Sequence, residues 1–469
     1  MFCWEVTAWD NPERSAARSR YVPVSPAYMA GYKYIFDIPC MKRIWDRKIL
    51  IRLHDLLVFI FFFSFIFDIR WFVGFATILM TVNAFLFHRL ESSKWWNPRF
   101  FNPFITGLYL YFVVQAIALF YTRNLPNGLE ISQTNLGMIV LPVGVFYSGL
   151  LNQESFGRWM KGYIYILLAA TVIALGHALI LFLKNHNASV FFYHALVGLY
   201  SKHAIQFSVI VFIGILFLID EYSKPRIFRN RTWIIWAIIY LSAFLFLLSS
   251  KLVFIIYFLY ILYLIGLTDE IVRKKSYRMT GLIIMIVLIT VIALSNTPFK
   301  KRMKEEWDAR ISMIQQQKFS PADYFTGVQF RMVSWRFVYE ILNEKHAWIL
   351  GVSPGDAQDA LNDKYTRENM YIGGVAEHKT GYLGYHSHNQ FLQAVLETGI
   401  FGLVFFMVSC VGLVILAIKS RERALYIFAL LLLCNCFTDA PLKTQYGIIL
   451  FIFFPLLLYG KSTRRFQVS

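Results

Sequence analysis

Uninterrupted apolar runs of roughly 16–22 residues recur from Ile51 to Leu458, and nothing else in the chain restricts its fold so tightly. At about 1.5 Å rise per residue, such a run carries a helix across a hydrocarbon core of about 30 Å. Strands of a membrane barrel would alternate polar and apolar residues over segments of about ten, and these runs do not. Only 16% of the 469 residues are charged and 57% are hydrophobic. A soluble domain is about 25% charged, so a string of water-soluble domains is excluded. The 45 Phe, 27 Tyr and 12 Trp suit lipid-facing helices with interfacial aromatic belts. The chain reads as an all-α polytopic integral membrane protein.

About twelve transmembrane helices are expected, at 51–67, 71–87, 101–121, 134–150, 162–183, 204–219, 233–249, 252–267, 280–295, 395–418, 425–438 and 447–460. Basic residues orient them. With both termini inside, the inner loops hold clusters such as Lys224, Arg226, Arg229 and Arg231, then Arg273, Lys274, Lys275 and Arg278. The short outer loops and turns hold only Arg70, Arg123, Lys184, Lys202, Lys251 and Lys443. That asymmetry is the positive-inside pattern, so the net charge of +18 reports topology and not nucleic-acid binding. The organisation is then an inner N-terminal arm (1–50), helices 1–9 (51–295), a large outer loop (296–394), helices 10–12 (395–460) and an inner tail (461–469).

Residues 1–40 are polar, carry Pro12, Pro23 and Pro26, and lack the pattern of a cleavable signal. Met41 opens a basic stretch before the first apolar run, and the native start is expected at Met41 or Met29. Of the cysteines, Cys3 and Cys40 fall in the arm and Cys410, Cys434 and Cys436 in apolar runs, which speaks against a disulfide framework or a zinc site.

The outer loop, at roughly 100 residues, is far longer than a connector requires, and long loops of this kind carry function. Lys300–Arg310 is dense in charge and expected to be helical at the membrane surface. Phe330, Val333, Trp335, Val338 and Ile341 recur at helical spacing, marking an amphipathic helix packed on another element.

Three polar places stand out on the outer side, where polar groups at the membrane edge are costly unless used. Tyr385-His386-Ser387-His388-Asn389-Gln390 runs straight into the tenth span. Its imidazoles titrate near neutrality and can orient or deprotonate a hydroxyl, or else simply cap the helix. Arg331, four residues before Trp335, can hold a diphosphate through paired donors, or be a solvated face residue. Ser249-Ser250-Lys251 breaks two apolar spans, where the lysine can bind an anionic headgroup or mark a tight turn. Lys202 and His203 before the sixth span read as ordinary interfacial residues. No phosphate-binding glycine loop or dinucleotide fingerprint occurs. His386 and His388 have no carboxylate within four residues of either, so neither a metal nor a cofactor is expected.

These residues resemble a known family. His388-Asn389 followed by Gly399 and Gly402 is similar to the signature of the O-antigen ligase and polymerase superfamily. Arg331-Met-Val-Ser-Trp335 resembles its Arg-x-x-x-Trp segment, and Trp348-Ile-Leu-Gly-Val-Ser-Pro-Gly355 its glycine-rich stretch, with Ser353 in place of the middle glycine. Where many members carry Ser-Arg, this chain has Ser250-Lys251, which keeps the charge but loses the two-pronged donor.

The resemblance implies a multi-pass protein of the bacterial inner membrane whose outer loop is a periplasmic catalytic loop. It implies a glycosyltransferase that moves a glycan from an undecaprenyl-diphosphate-linked donor, among membrane lipids, to lipid A-core or another glycan acceptor. No nucleotide sugar, metal or nucleic acid takes part. His388 would accept the acceptor's proton or orient its hydroxyl, Arg331 and Lys251 would hold the diphosphate, and Asn389, His386 and Trp335 would support them. The layout with one dominant outer loop is most like an O-antigen ligase. A polysaccharide polymerase uses the same donor, and a lipid-glycan transporter would be a reading of another class.

Overall fold

The computed structural model describes residues 47–91, 102–147, 150–223, 227–228, 230–267, 304, 311–374 and 381–462, all within one compact unit, Arg47–Ser469. The N-terminal arm with both candidate starts, the ninth span at 280–295 and the charged stretch 300–310 apart from Lys304 lie outside the described residues. The regular elements are helices: α1 (Arg47–Phe67), α2 (Arg70–Glu91), α3 (Pro103–Ala118), α4 (Leu125–Asn135), α5 (Gly137–Pro142), α6 (Gln153–Asn185), α7 (Tyr193–Val197), α8 (Ala204–Ser223), α9 (Arg231–Leu247) and α10 (Lys251–Leu267). After the polar segment come α11 (Gly327–Glu344), α12 (Ala357–Arg367), α13 (Gln390–Ser420), α14 (Arg423–Thr438) and α15 (Gln445–Ser462).

This is a membrane protein with multiple spanning helices. Six of the described helices (α1, α2, α3, α6, α8 and α13) are long and apolar enough to cross a bilayer, and α9, α10, α14 and α15 are apolar but shorter. The stretch expected as one span at 134–150 is not one helix. It is α4, α5 and a wide π turn over Val143–Tyr147, with Pro142 inside α5. Proline has no N–H for the helical ladder and its ring crowds the preceding turn, so the run of apolar residues bends there instead of continuing.

Helix ends follow from short polar residues. Asn102 caps α3 by accepting from Ile105 N–H, with Pro103 at the first helical position. Asn152 and Ser155 form a reciprocal cap on α6. The centre of the bundle is α8, with 83% of its apolar window buried. Around it, aromatic rings interlock between α1, α6 and α15: Phe61 on Phe453 at 4.7 Å, Phe62 on Tyr163 at 5.1 Å, Phe65 on Tyr446 at 4.6 Å. On α2, Trp71, Phe75, Ile78 and Val82 recur every three or four residues and point outward, a face that only a lipid environment would cover.

Helices α3 and α13 approach closely because glycines face the contact. A Cβ on Gly107 would lie 2.4 Å from the Ser409 nitrogen, and one on Gly412 would lie 2.1 Å from the Phe104 nitrogen. Small residues at such crossings let backbones meet in a membrane, where packing replaces the hydrophobic drive.

A second apolar core sits on the long polar segment. Phe319, Phe325, Phe330, Val333, Phe337, Val338 and Ile341 pack with Leu361 and Tyr365 and with Val395 and Leu396 of α13. The expected amphipathic helix is therefore present as α11, and it packs on α12 and on the first turns of α13. Beneath this core, Lys364 is buried among Glu340 (2.8 Å), Glu344 (2.7 Å) and Glu368 (3.4 Å). Its loss of hydration is outweighed by those carboxylates, which push its pKa above the usual lysine value.

Helix α13 is broken at Gly399, whose φ of 63° and ψ of −155° are open to glycine alone. The break frees backbone groups that a continuous helix would use internally. Val352 N–H donates to Leu396 O (2.8 Å), Ser353 N–H to Glu397 O (3.1 Å), and Ile400 N–H to Trp348 O (2.9 Å). A Cβ at Gly399 would stand 2.1 Å from the Ile349 carbonyl oxygen. The glycine that marks the sequence signature thus joins the polar segment to the spans and performs no chemistry.

Candidate active site

The Tyr385–Gln390 turn, which leads into α13, is gripped by three other helices. Ser334 of α11 donates to Ser387 O at 3.1 Å. Tyr365 and Gln358 of α12 both donate to Tyr385 O, at 3.0 and 3.1 Å. Asn389 caps α13, accepting from Phe391 and Leu392 N–H at 3.0 and 3.1 Å, and it donates to Phe437 O at the end of α14. Asn389, expected to support the site, is the helix cap in the structure.

His388 adopts a left-handed backbone, φ 48°, a conformation that histidine visits more readily than most residues. This turn swings its ring away from α13 and between Phe330 (5.7 Å) and Tyr385 (5.9 Å). The two histidine ring centres lie 4.3 Å apart, with their planes tilted by 46°. Between them and α14 sits a carboxylate that the sequence did not single out, Asp439. Its Oδ1 lies 3.4 Å from His388 Nδ1 and 3.5 Å from His386 Nε2, and it accepts Ala440 N–H at 2.9 Å. At 3.4 Å the His388 contact is beyond hydrogen-bond geometry, and closing it takes about 0.5 Å of movement. The signal for Asp439 was present: Thr438-Asp439-Ala440-Pro441 is a polar break at the outer end of an apolar run, as Ser249-Ser250-Lys251 is.

The tautomers follow from the contacts. His386 Nδ1 accepts the His388 backbone N–H at 3.0 Å, so its proton sits on Nε2 and faces Asp439. Burial, joined by the neighbouring His388, Lys443 and Arg331, outweighs the pull of Asp439 and holds the His386 pKa down to about 3, keeping that ring neutral. Asp439 shows the opposite balance. Burial pushes its pKa up, but the His388 contact, both histidines and the Ala440 N–H bring it to about 2, so it is a carboxylate. An ionised Asp439 beside His388 Nδ1 favours the proton there, which leaves Nε2 as a lone-pair acceptor.

Arg331 lies next to this trio. Its Nε donates to Thr438 O (2.7 Å) and one terminal nitrogen to Gly327 O (2.8 Å), fixing the guanidinium against the residue before Asp439. Five N–H groups are available to an arginine, so three remain for a ligand among the described contacts. Trp335 stands one turn further along α11, and its indole N–H is buried without a hydrogen-bond partner among the described residues. Lys251 opens α10, which packs on α14; the antiparallel run of these helices puts Lys251 at the same end of the bundle as Thr438.

Below the histidines runs a buried polar chain. Ser387 donates to Gln393 (2.9 Å), Gln393 to Glu397 (2.8 Å), and Glu397 also receives Lys443 (2.9 Å) and Gln115 (3.1 Å). Glu397 is 1% exposed, and these donors are what permit a carboxylate there. Gln115, Gln393 and Lys443 are further residues that sequence reasoning passed over, because each is the sort of single polar residue that any span end can carry.

The trio could also hold a cation. The donor atoms of His386, His388 and Asp439 lie within 4.8 Å of one another, and the two His–Asp separations match those between ligands on a divalent ion with bonds of about 2.1 Å. Arg331 and Lys443 oppose this, since their charges already act on His386 and would repel a cation.

Comparison with known proteins bears on this region. Residues 234–407 match the family model described as O-Antigen ligase, a stretch that includes Lys251, Arg331, His386 and His388. No curated protein matches the chain. The chain therefore carries an O-antigen ligase family domain, and that family is one of glycosyltransferases.

Proposed function

We propose that this chain, built around its O-antigen ligase family domain, transfers a polysaccharide from undecaprenyl diphosphate to lipid A-core on the periplasmic side of the bacterial inner membrane. The observation that carries the reading is the meeting of His388, Asp439 and Arg331 at one end of the spans. A base, its orienting carboxylate and a fixed guanidinium are the groups that displacement of a sugar from a diphosphate requires.

In this reading the lipid of the donor lies against the aromatic spans and its diphosphate meets Arg331 and Lys251. The acceptor hydroxyl attacks the anomeric carbon from the face opposite the diphosphate. As the new C–O bond forms, the bond to the diphosphate oxygen breaks, and the hydroxyl proton passes to His388 Nε2. Asp439 stabilises the imidazolium that results, as a buried carboxylate does for a catalytic histidine. The two cations stabilise the charge that gathers on the leaving diphosphate, with greater effect where water is scarce. A single displacement inverts the anomeric configuration. Asn389, His386 and Trp335 support the site. The charges of Arg331 and Lys443 around the trio favour a mechanism without a metal.

Deleting the gene and examining lipopolysaccharide beside extracted carrier-linked glycans tests the assignment. Rough lipopolysaccharide with full-length polymer stranded on the carrier is the expected result. A core bearing a single repeat, with no long carrier-linked polymer, would instead make the protein a polymerase. Glycan movement in proteoliposomes without an acceptor would make it a transporter.

A further inference from the structure

Lys443, four residues beyond Asp439, lines the wall of a cavity of about 320 Å³. It falls at the lower end of the ~300–1,000 Å³ range of small-molecule sites. Its floor is Lys202, read from the sequence as an ordinary interfacial residue. The side chain is 2% exposed, and its ammonium sits 4.1 Å from the Tyr446 ring centre and 5.2 Å from that of Phe65, with Asp68 at 3.3 Å.

The same carboxylate also serves Arg70 at 3.5 Å, so one anion is shared by two cations. Lys443 adds a third cation at the wall, partly answered by Glu397 behind it. Positive charge is therefore in excess. Burial, only partly offset by Asp68, holds the Lys202 pKa down to about 8, as befits a buried ammonium short of negative partners. The remaining polar wall, from Thr134, Gln206, Thr444 and Gln445, offers hydroxyl and amide groups that can bind sugar hydroxyls.

We infer that this cavity is a subsite for an anionic saccharide, holding a phosphorylated or acidic sugar by Lys202, Lys443 and Arg70. As a subsite of the transferase it rests on the function proposed above, because it then lies beside the reacting centre. Lys443 is four residues after Asp439, at most about 14 Å of chain away. It is also joined to the backbone before His388 through Glu397, Gln393 and Ser387.

The test is binding, read without turnover, on the full chain in detergent. Glucose 6-phosphate should raise the melting temperature saturably, and glucose should not. Lys202→Met should weaken that response about tenfold or more, and Lys443→Gln and Arg70→Gln should weaken it less. His388→Ala should retain it, which separates failure of this subsite from failure of the proposed chemistry. If Lys202→Met does not fold, the two wall variants decide alone. An unaltered response in both would overturn the assignment. So would inorganic pyrophosphate binding more tightly than glucose 6-phosphate with the same dependence on Lys202, since the occupant would then be a carrier diphosphate and not a saccharide.

Discussion

Ionisable groups gather at both ends of the helical bundle, and the two ends treat them differently. At the end away from the polar segment, Lys461 holds Asp220 and Glu422, while Arg158 holds Asp55 at 3.0 Å and Glu154 at 2.8 Å, with Trp159 donating to Asp55 at 2.6 Å. Each of these carboxylates is in close contact with a cation from another position of the chain. At the other end, beside the closed Lys443–Glu397 pair at 2.9 Å, Asp439 stands 3.4 Å from His388 and 3.5 Å from His386, and His388 Nδ1 has no hydrogen-bond partner among the described residues. Closed pairs lock helices together and gain nothing by reacting. An open arrangement leaves interaction energy to be realised when a ligand arrives, which is what a transition state rewards.

The largest effect that would expose this difference is at His388. His388→Ala should lower glycan transfer by about 10²–10⁴-fold, the usual contribution of a positioned base, with little change in melting temperature. Retention of normal transfer at normal protein level would remove His388 from the chemistry. Asp439→Asn should also lower transfer, by up to about 10⁴-fold in the same assay, since it disturbs the tautomer, orientation and charge of the ring.

At the opposite end the outcome should invert. Lys461→Met should lower stability in detergent by about 1–3 kcal/mol, as it leaves Asp220 and Glu422 without their shared cation, yet transfer per folded molecule should not change. A loss of specific activity there would mean that the two ends are not separable.

Acid should strain the open end further. His386 stays neutral in the fold down to about pH 3, whereas in the unfolded chain it takes a proton near 6.5. Stability contributed by that ring is thus present above pH 6.5 and declines as pH falls from there towards 3, by about 1.4 kcal/mol per unit. Asp439, ionised down to about 2, adds a loss only below about 3.8. Melting curves between pH 7 and 5 should show the first slope, and His386→Gln should flatten it. The smallest expected effect is none: chelation with EDTA should leave transfer at its full rate. Inactivation reversed by a divalent ion would turn the trio into metal ligands.

The long apolar helices α1, α2, α3, α6, α8 and α13 were legible in the sequence because hydropathy alone marks them. Helix ends such as Asn389 and the amphipathic face of α11 were legible because capping and periodicity are local. The bent stretch at 134–150 was not, since the apolar signal is blind to what Pro142 does to a helix that must also make room for neighbours. Asp439 was missed for a different reason. It reaches the histidines only after α13 and α14 have crossed the bundle and returned, and no local pattern encodes that meeting. Gly399 and Gly402 were recognised as a signature, but the purpose of Gly399 is visible only once Trp348–Ser353 lies across the broken turn.

That broken turn lets one helix belong to two cores. Val395 and Leu396 before it pack with the polar segment, while Ser409 and Gly412 beyond it lie against α3. Asn389 and Arg331 bind the carbonyls of Phe437 and Thr438, so the histidine turn and the end of α14 are clamped together at the 3.4 Å gap between His388 and Asp439. A side chain at Gly399 would therefore reach the proton acceptor without touching it: by shifting the seam it would misplace the imidazole against its carboxylate.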